Sequence, residues 1–385
     1  MRFDPQFSGC LHYIAGRKLF ASRGPLILTG FAGEPLRVLA RLPLGATDSM
    51  AGASRVLGRL LRRDVSHVVL FRDRVVVIAF GRIWCLDAES GALLGEPVAL
   101  VGIRPFALCV TPHGMYYGEY RRNPERSPIR VLFSDDGLCW STVRELKSVR
   151  HIHGIYYDEF TSSLWVTTGD EDAESAIWHS TDRFASLEPV ISGSQQTRAI
   201  PLLFTREHVL FGSDTPLEQN FLYRLERSTG RLTELAPVEG SVFYAARVGA
   251  WLLFSTAVEP SEANRSREAV LYASPDGERW CVLARHPKDR WPVSYFQFGR
   301  IILPGGHNET RQCWYSTFAV GRDYAVHTGN VEGCRTDLSV IGGRSTGTVT
   351  AGNQYGSRSR AAMGTSGKGS ELDRQRGSEK LHGDS

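Results

Sequence analysis

The pattern S-x-D-G-x-x-W occurs twice in this chain, as Ser134-Asp135-Asp136-Gly137-Leu138-Cys139-Trp140 and as Ser274-Pro275-Asp276-Gly277-Glu278-Arg279-Trp280. A third copy, Ser180-Thr181-Asp182-Arg183-Phe184, keeps the Ser and the Asp. Each copy follows a short apolar run and precedes another strand-like run. The Asp accepts backbone N–H bonds, the Gly supplies a positive φ and the Trp packs back on the sheet. The pattern therefore predicts structural hairpin turns at Ser134, Asp136, Gly137, Trp140, Ser180, Asp182, Ser274, Asp276, Gly277 and Trp280.

Outward from these turns, strand-like runs bounded by Gly, Pro, Asp or Asn form units of about 45 residues. The units are 8–43, 66–100, 104–147, 151–192, 197–238, 241–286 and 293–327. Four-stranded units need neighbours to cover both sheet faces, and radial closure provides them. The prediction is an all-β protein, a β-propeller of seven blades, or six if a terminal unit is partial.

Two segments fall outside the repeat. Residues 44–65 include a basic amphipathic run, which favours a short surface helix packed between blades over a membrane-binding one. Residues 336–385 are rich in Gly, Ser and Arg and hold few apolar side chains. Such a composition predicts a disordered tail after a propeller of residues 1–335.

Composition and charge exclude several classes of protein. The chain has 385 residues and a formal net charge of only +4, so no nucleic-acid partner is expected. No apolar stretch approaches the roughly 20 residues that cross a bilayer, and the N-terminus lacks a secretory core. The seven cysteines are scattered and form no C-x-x-C pair. They predict buried thiols in a reducing compartment, and hence a cytoplasmic location.

The stretch from His151 through Leu164–Asp170 to the turn at Ser180 resembles the BNR (Asp-box) sialidase-like propellers of bacteria. The resemblance covers residues 100–290. It implies a propeller whose boxes join the third and fourth strands of a blade at the outer rim, and it implies a carbohydrate context. The early Arg-Ile-Pro signature of true sialidases is missing, and Arg198-Ala-Ile-Pro201 lies too late in the chain to replace it. We therefore do not expect sialidase activity proper.

By analogy with other propellers, ligands bind at the channel mouth opposite the boxes. The loops expected there include Gly118–Asn123, Thr167–Asp172, Gly212–Asn220, Glu259–Arg267 and Gly305–Glu309. The loops between blades add residues 151–153, Arg198 and Tyr295. Acids and histidines on these two sets of loops are the candidate catalytic residues: Glu119, His151, His153, Asp170 and Asp214. Polar and aromatic neighbours are the candidate substrate-binding residues: Tyr120, Arg122, Arg198, Asn220, Tyr295 and His307.

Two functions follow from these candidates. In the first, paired carboxyls such as Glu119 with Asp170 or Asp214 make a glycoside hydrolase, or a histidine base makes a polysaccharide lyase. In the second, the mouth binds a glycan or a protein without catalysis. His151 and His153 face the same side of a strand. Because the sequence offers no third ligand, it favours a hydrogen-bonded pair over a metal site, and we expect no cofactor.

Overall fold

The computed structural model describes residues 3–331, and almost all regular structure there is β-strand. The first strand, β1, is Asp4–Ser8. The first two sheets share an antiparallel order that follows the chain. Their strands are β2 (Cys10–Gly16), β3 (Lys18–Arg23), β4 (Leu26–Phe31), β5 (Arg37–Arg41), β6 (Val65–Phe71), β7 (Arg74–Ala79), β8 (Arg82–Asp87) and β9 (Val98–Ala99).

The next four units repeat this order. Their strands are β10 (Cys109–Thr111), β11 (Gly114–Gly118), β12 (Ile129–Ser134), β13 (Ser141–Leu146), β14 (Ile152–Asp158), β15 (Ser163–Thr168), β16 (Ala176–Ser180), β17 (Glu188–Ser192), β18 (Ala199–Phe204), β19 (His208–Ser213), β20 (Asn220–Glu226), β21 (Leu232–Val238), β22 (Val242–Val248), β23 (Trp251–Val258), β24 (Glu268–Ser274) and β25 (Cys281–Pro287).

The remaining strands join the last of these units in one larger sheet, except for one short strand. They are β26 (Gly299–Ile302), β27 (Gly305–Asn308), β28 (Gln312–Phe318) and β29 (Ala325–Asn330). The N-terminal strand β1 pairs with β29, so both ends of the described chain build the same sheet. The short strand β27 pairs in parallel with β2 instead.

Burial differs systematically between strands of one sheet. The second strands, such as β15 and β23, are buried along their whole length, whereas the fourth strands β5 and β17 are mostly exposed. A strand covered on both faces reads as a continuous apolar run, which explains Val75–Ile78 in β7. The first strands of successive sheets contact each other, as β14 does with β18 and β18 with β22. This radial stacking is the β-propeller arrangement that the sequence predicts.

Within residues 3–331, three short α-helices lie between the strands: α1 (Ala46–Ala53), α2 (Arg55–Leu61) and α3 (Val293–Phe296). Two single 3-10 turns, Asp172–Glu174 and Gln195–Thr197, add to them. The single helix expected within 44–65 is thus two helices, because Ser54 has an extended backbone and its hydroxyl caps α2. Arg59 of α2 is buried, and its guanidinium lies 2.6 Å from Asp289 and donates to the carbonyl of Phe296. Arg59 thus joins α2 to the segment between β25 and β26, where Asp289 and Phe296 lie. Packing of this helix between two blades stays a prediction.

The loop Gly305–Glu309 requires a correction. The sequence places it between the second and third strands of its unit, but β27 lies between the first strand β26 and the second strand β28. The reason is that β1, from the other end of the chain, pairs with β29 and supplies one strand of this sheet. Only β26 then precedes β28 in this unit, so the loop follows the first strand and not the second. The predicted domain boundary at 335/336 and the predicted tail lie outside the described residues.

The S-x-D-G-x-x-W turns join the third and fourth strands of their sheets, β12 to β13 and β24 to β25. In the first, the Asp136 carboxylate accepts from the backbone nitrogens of Leu138 and Cys139 at 2.8 and 2.9 Å. The hydroxyl of Ser134 accepts from the nitrogen of Gly137, which has φ +80°. The Asp136 carboxylate and the Ser134 hydroxyl thus both bond within the turn, which supports the structural role expected from the sequence.

These contacts give a stability prediction. Asp136→Ala removes the acceptor of two backbone N–H groups, and we expect it to lower the free energy of unfolding by about 1–3 kcal/mol. The neighbouring Asp135 is exposed and is the matched control, with an expected change within about 0.5 kcal/mol for Asp135→Ala. Urea unfolding of both variants measures the difference. Equal stabilities would contradict the structural role of the box.

Candidate functional site

A central cavity of about 830 Å³ is lined by the first strands of the sheets and by the loops next to them. A volume of this size is typical of small-molecule sites. Seven of the residues predicted from the sequence line it: Tyr120, His151, His153, Asp170, Arg198, Asp214 and His307. They come from different sheets, because each sheet sends its first strand and its inner loops to the same central space.

Asp170 is the centre of the polar cluster in this cavity. Its Oδ1 lies 3.4 Å from Nε2 of His151 and 3.6 Å from Nε2 of His153. Arg198 approaches the same oxygen at 3.2 Å, and Arg150 approaches Oδ2 at 3.0 Å. The carboxylate is therefore held in one orientation by groups from two chain segments, 150–153 and Arg198.

The two histidines are packed rigidly. His153 is 2 % exposed, and its Nδ1 lies 3.0 Å from the carbonyl oxygen of Ala199, so this nitrogen carries the proton. Burial lowers the pKa of His153 to about 4, which keeps the ring neutral near pH 7. The ring of Tyr120 packs on His151 at 4.2 Å, and Phe106 contacts His153 edge-on. Burial also raises the pKa of Tyr120 to about 12, so it is poorly suited to act as a base.

A second acidic group consists of Asp214 and Glu259. Asp214 is 3 % exposed, and one of its oxygens has no hydrogen-bond partner. Burial raises the pKa of Asp214 to about 8, because Arg198, 3.4 Å away, offsets it only in part and the charge of Glu259 adds to it. The hydroxyl of Ser241 donates to Glu259 at 2.9 Å and contacts Asp214 as well. Burial raises the pKa of Glu259 too, so this pair retains a proton where ordinary carboxyls are ionised.

Two arginines, Arg300 and Arg104, also line the cavity. Arg300 is only 8 % exposed, and its guanidinium stacks on the ring of Phe318 at 4.1 Å. Within residues 3–331 it has no ion pair or hydrogen bond from its side chain, and its Nε is buried without a partner. The nearby Arg104 differs, because Asp64 lies 3.0 Å from it. Burial lowers the pKa of Arg300, yet a guanidinium stays charged at neutral pH.

Other predicted site residues lie elsewhere. Glu119 is buried, but Arg121 and Arg130 hold its two oxygens at 2.8 Å and it does not line the cavity. Asn220 is also buried away from the cavity, where it binds Ser213.

The remaining three are exposed or distant. Arg122 is an exposed loop residue, and Tyr295 is 64 % exposed outside the cavity lining. His307 reaches the lining, but from β27, where it pairs with Ala15 near the end of β2. The acidic cluster lies at the start of the corresponding strands, so His307 belongs to the other end of the channel.

Two residues of the site escape sequence reasoning. Glu259 stands at the start of an inspected loop, but nothing in the sequence shows that its neighbour in space is Asp214. Arg300 sits on β26, within an apolar run (Gly299–Ile302) that reads as an ordinary strand. A charged residue is rare within an apolar strand, so the arginine in this run is the one sequence signal that could have indicated a functional side chain.

His151, His153 and Asp170 also form a group whose ligand atoms lie within 4.8 Å of one another. Asp170 is therefore the third side chain that the sequence did not assign to the histidine pair.

Among residues 3–331, no helix is long and apolar enough to cross a membrane.

Comparison with known proteins supports the fold. A chain of the mitotic checkpoint complex is similar, with a TM-score of 0.55 and 13 % identity over 86 % of this chain and 93 % of that one. The CNH domain of AfRom2 has a TM-score of 0.52 and 11 % identity, covering 85 % and 97 %. A prolyl endopeptidase has a TM-score of 0.51 and 10 % identity, covering 81 % and 46 %. These are propeller-type structures, and at such identities they show the fold alone.

No protein-family model matches the chain, and no curated protein matches it. The fold is thus a β-propeller, and the site must be interpreted from its own residues.

Proposed function

We propose that this chain binds an acidic carbohydrate in its central cavity and hydrolyses it. The observation that carries the proposal is Arg300, a buried cation in the cavity wall that forms no ion pair among residues 3–331 and whose Nε has no partner. The charge of Asp64 acts on it, but Asp64 pairs with Arg104, so an anion that enters the cavity and contacts Arg300 directly would stabilise the buried charge. A uronate carboxylate matches the fork of a guanidinium bidentately.

Two carboxyls that line the cavity supply acid–base chemistry. The pair of Asp214 and Glu259 keeps one proton near neutral pH, because burial raises the pKa of both groups. In the proposed reaction the protonated member donates to the glycosidic oxygen as the C1–O bond breaks. The ionised member bonds to C1 as the glycosidic oxygen leaves, since two carboxyls that contact one hydroxyl are too close for the water of an inverting reaction. Water then replaces this carboxylate at C1 and gives its proton to the first carboxyl, which restores the starting state.

Arg198 has a different part in this reaction from the one expected from the sequence. It lies between Asp170 and Asp214 and contacts both, so it is not free to pair with a substrate carboxylate. We assign it the positioning of Asp214. Arg300, which sequence reasoning missed, takes the role of binding the acidic group.

The finer features of the fold belong to the same proposal. We infer seven blades, the seventh built from β26, β28, β29 and the N-terminal β1. The self-contained hydrogen bonding at Asp136 and Asp276 supports the likeness to Asp-box propellers, and with it the carbohydrate context. The buried thiols of Cys10, Cys109 and Cys313 support a cytoplasmic location, since a reducing compartment leaves thiols unpaired.

Calorimetric titration tests the proposal. The ligands are oligouronates, each compared with its carboxyl-reduced, neutral counterpart. We expect at least one oligouronate to bind about 30-fold or more tightly than its neutral form, since one desolvated charge pair contributes 2 kcal/mol or more. We also expect new reducing ends to appear. Binding without reducing ends would favour a scaffold, and equal binding of acidic and neutral sugars would contradict the role of Arg300.

A further inference from the structure

The polar cluster around Asp170 has an arrangement that hydrogen bonding does not explain. Nε2 of His151 and Nε2 of His153 lie 3.2 Å apart, and Oδ1 of Asp170 lies 3.4 and 3.6 Å from them. The three atoms thus form a nearly equilateral triangle. All three side chains line the central cavity.

Proton positions make the triangle unfavourable as it stands. Nδ1 of His153 donates to the carbonyl of Ala199, so Nε2 of the neutral ring presents a lone pair. That lone pair faces Oδ1 of Asp170, which also accepts only. If Nε2 of His151 donates into the triangle, its Nδ1 becomes an acceptor, and this nitrogen is buried with no partner. The three side chains cannot all be satisfied by one another.

A metal ion satisfies the same three atoms. Imidazole nitrogens and a carboxylate oxygen bind zinc-like cations at about 2.0–2.2 Å, and ligands of a tetrahedral site are then separated by about 3.4 Å. The observed separations, 3.2, 3.4 and 3.6 Å, bracket that value. The bond from His153 to Ala199 is the kind of outer contact that orients a metal-binding histidine.

The charges of the cavity agree with a cation. Asp170, Asp214 and Glu259 are carboxyls of this wall, and Arg198 is the only guanidinium among the described residues that contacts two of them. Arg150 is shared between Asp170 and the exposed Glu171. Arg198 lies 3.2 Å from Oδ1, so a metal would displace it from that oxygen. Its contact with Asp214 remains available.

We propose that His151, His153 and Asp170 bind one divalent first-row transition-metal ion in the central cavity. Three protein ligands leave a coordination position open toward the cavity, as in sites that bind water or substrate. The site goes beyond the proposed hydrolysis by Asp214 and Glu259, and it does not depend on it. It also departs from the expectation, drawn from the sequence, that the chain holds no metal.

The experiment uses the full chain without a histidine tag, stripped with a chelator and titrated with Co²⁺ and then Zn²⁺. We expect one equivalent of Co²⁺ with the visible spectrum of a low-coordinate nitrogen and oxygen site, displaced by Zn²⁺. His153→Ala and Asp170→Asn should each weaken binding by about 100-fold or more, since even outer contacts of metal sites contribute 10–100-fold. His179→Asn is the matched control, because His179 does not line the cavity.

Unfolding temperatures keep the test decisive if a variant folds poorly. Zn²⁺ should raise the unfolding temperature of the unaltered chain and of His179→Asn, and should not raise that of His153→Ala. Failure of the unaltered chain to bind one equivalent would overturn the proposal, and so would equal affinity in all variants. No sugar is present, so the result is separate from the outcome of the oligouronate titration.

Discussion

Arg300→Gln should weaken the binding of an oligouronate by roughly 30-fold to several-thousand-fold, which corresponds to about 2–5 kcal/mol. The reason is that the ligand's carboxylate would be left buried without its counter-charge. Arg300→Lys should recover part of the loss, because a lysine keeps the charge but not the bidentate fork. Calorimetry with the acidic sugar and with its neutral counterpart measures both effects.

The free energy of unfolding of Arg300→Gln shows whether the variant keeps its fold. Arg300 forms no ion pair among the described residues, so removing its buried charge should leave the free energy of unfolding unchanged or raise it. Arg285→Gln is the matched variant outside the cavity, since Arg285 pairs with Glu239 at 2.6 Å. Unchanged affinity for the oligouronate in Arg300→Gln, with the fold intact, would remove the basis of the proposed function.

Asp214→Asn should lower the turnover of an oligouronate by about 10²–10⁴-fold, the usual contribution of a general acid. An amide cannot donate the proton that the two carboxyls share, so the glycosidic oxygen has to leave without being protonated. Binding should change far less, because Arg300 holds the acidic group of the ligand. Initial rates of reducing-end release, with binding measured separately, check this split.

The pH dependence of stability gives an independent readout for the same carboxyl. The pKa of Asp214 is raised in the folded chain, so its protonated form stabilises the fold below the unfolded pKa, near 4. That contribution is lost as the pH rises toward the folded value, about 8. Unfolding experiments at pH 5 and pH 8 should therefore show the stability of Asp214→Asn rising relative to the unaltered chain. A constant difference would show that Asp214 is ionised throughout.

The repeat could be predicted because its signals are local. Each box holds its own turn together by hydrogen bonds, and each second strand shows its burial as an apolar run. Units such as 151–192 and 197–238 therefore agree with their sheets within a few residues. The pairing of β1 with β29 could not be predicted, since it joins residues more than 300 positions apart. The misplaced loop Gly305–Glu309 follows from that one missing pairing.

Part of the site could be predicted because it depends only on the order of strands and loops along the chain. Asp170, Arg198 and Asp214 lie on loops that a propeller brings to one end, so strand order alone placed them. Glu119 lies on a loop of the same kind, yet Arg121 and Arg130 enclose it. Sequence order does not show whether a carboxyl faces the channel or its own sheet. Likewise, the contacts of Glu259 and Arg300 depend on packing between sheets.

The most direct test of the account is a structure of the chain with a bound oligouronate, solved for the inactive Asp214→Asn variant. The quantity to measure is the distance from the sugar carboxylate to the guanidinium of Arg300. The account predicts a bidentate contact within about 3 Å, with the glycosidic oxygen facing residue 214 and Glu259. A sugar bound at the end of the channel near His307, or outside the channel, would contradict it.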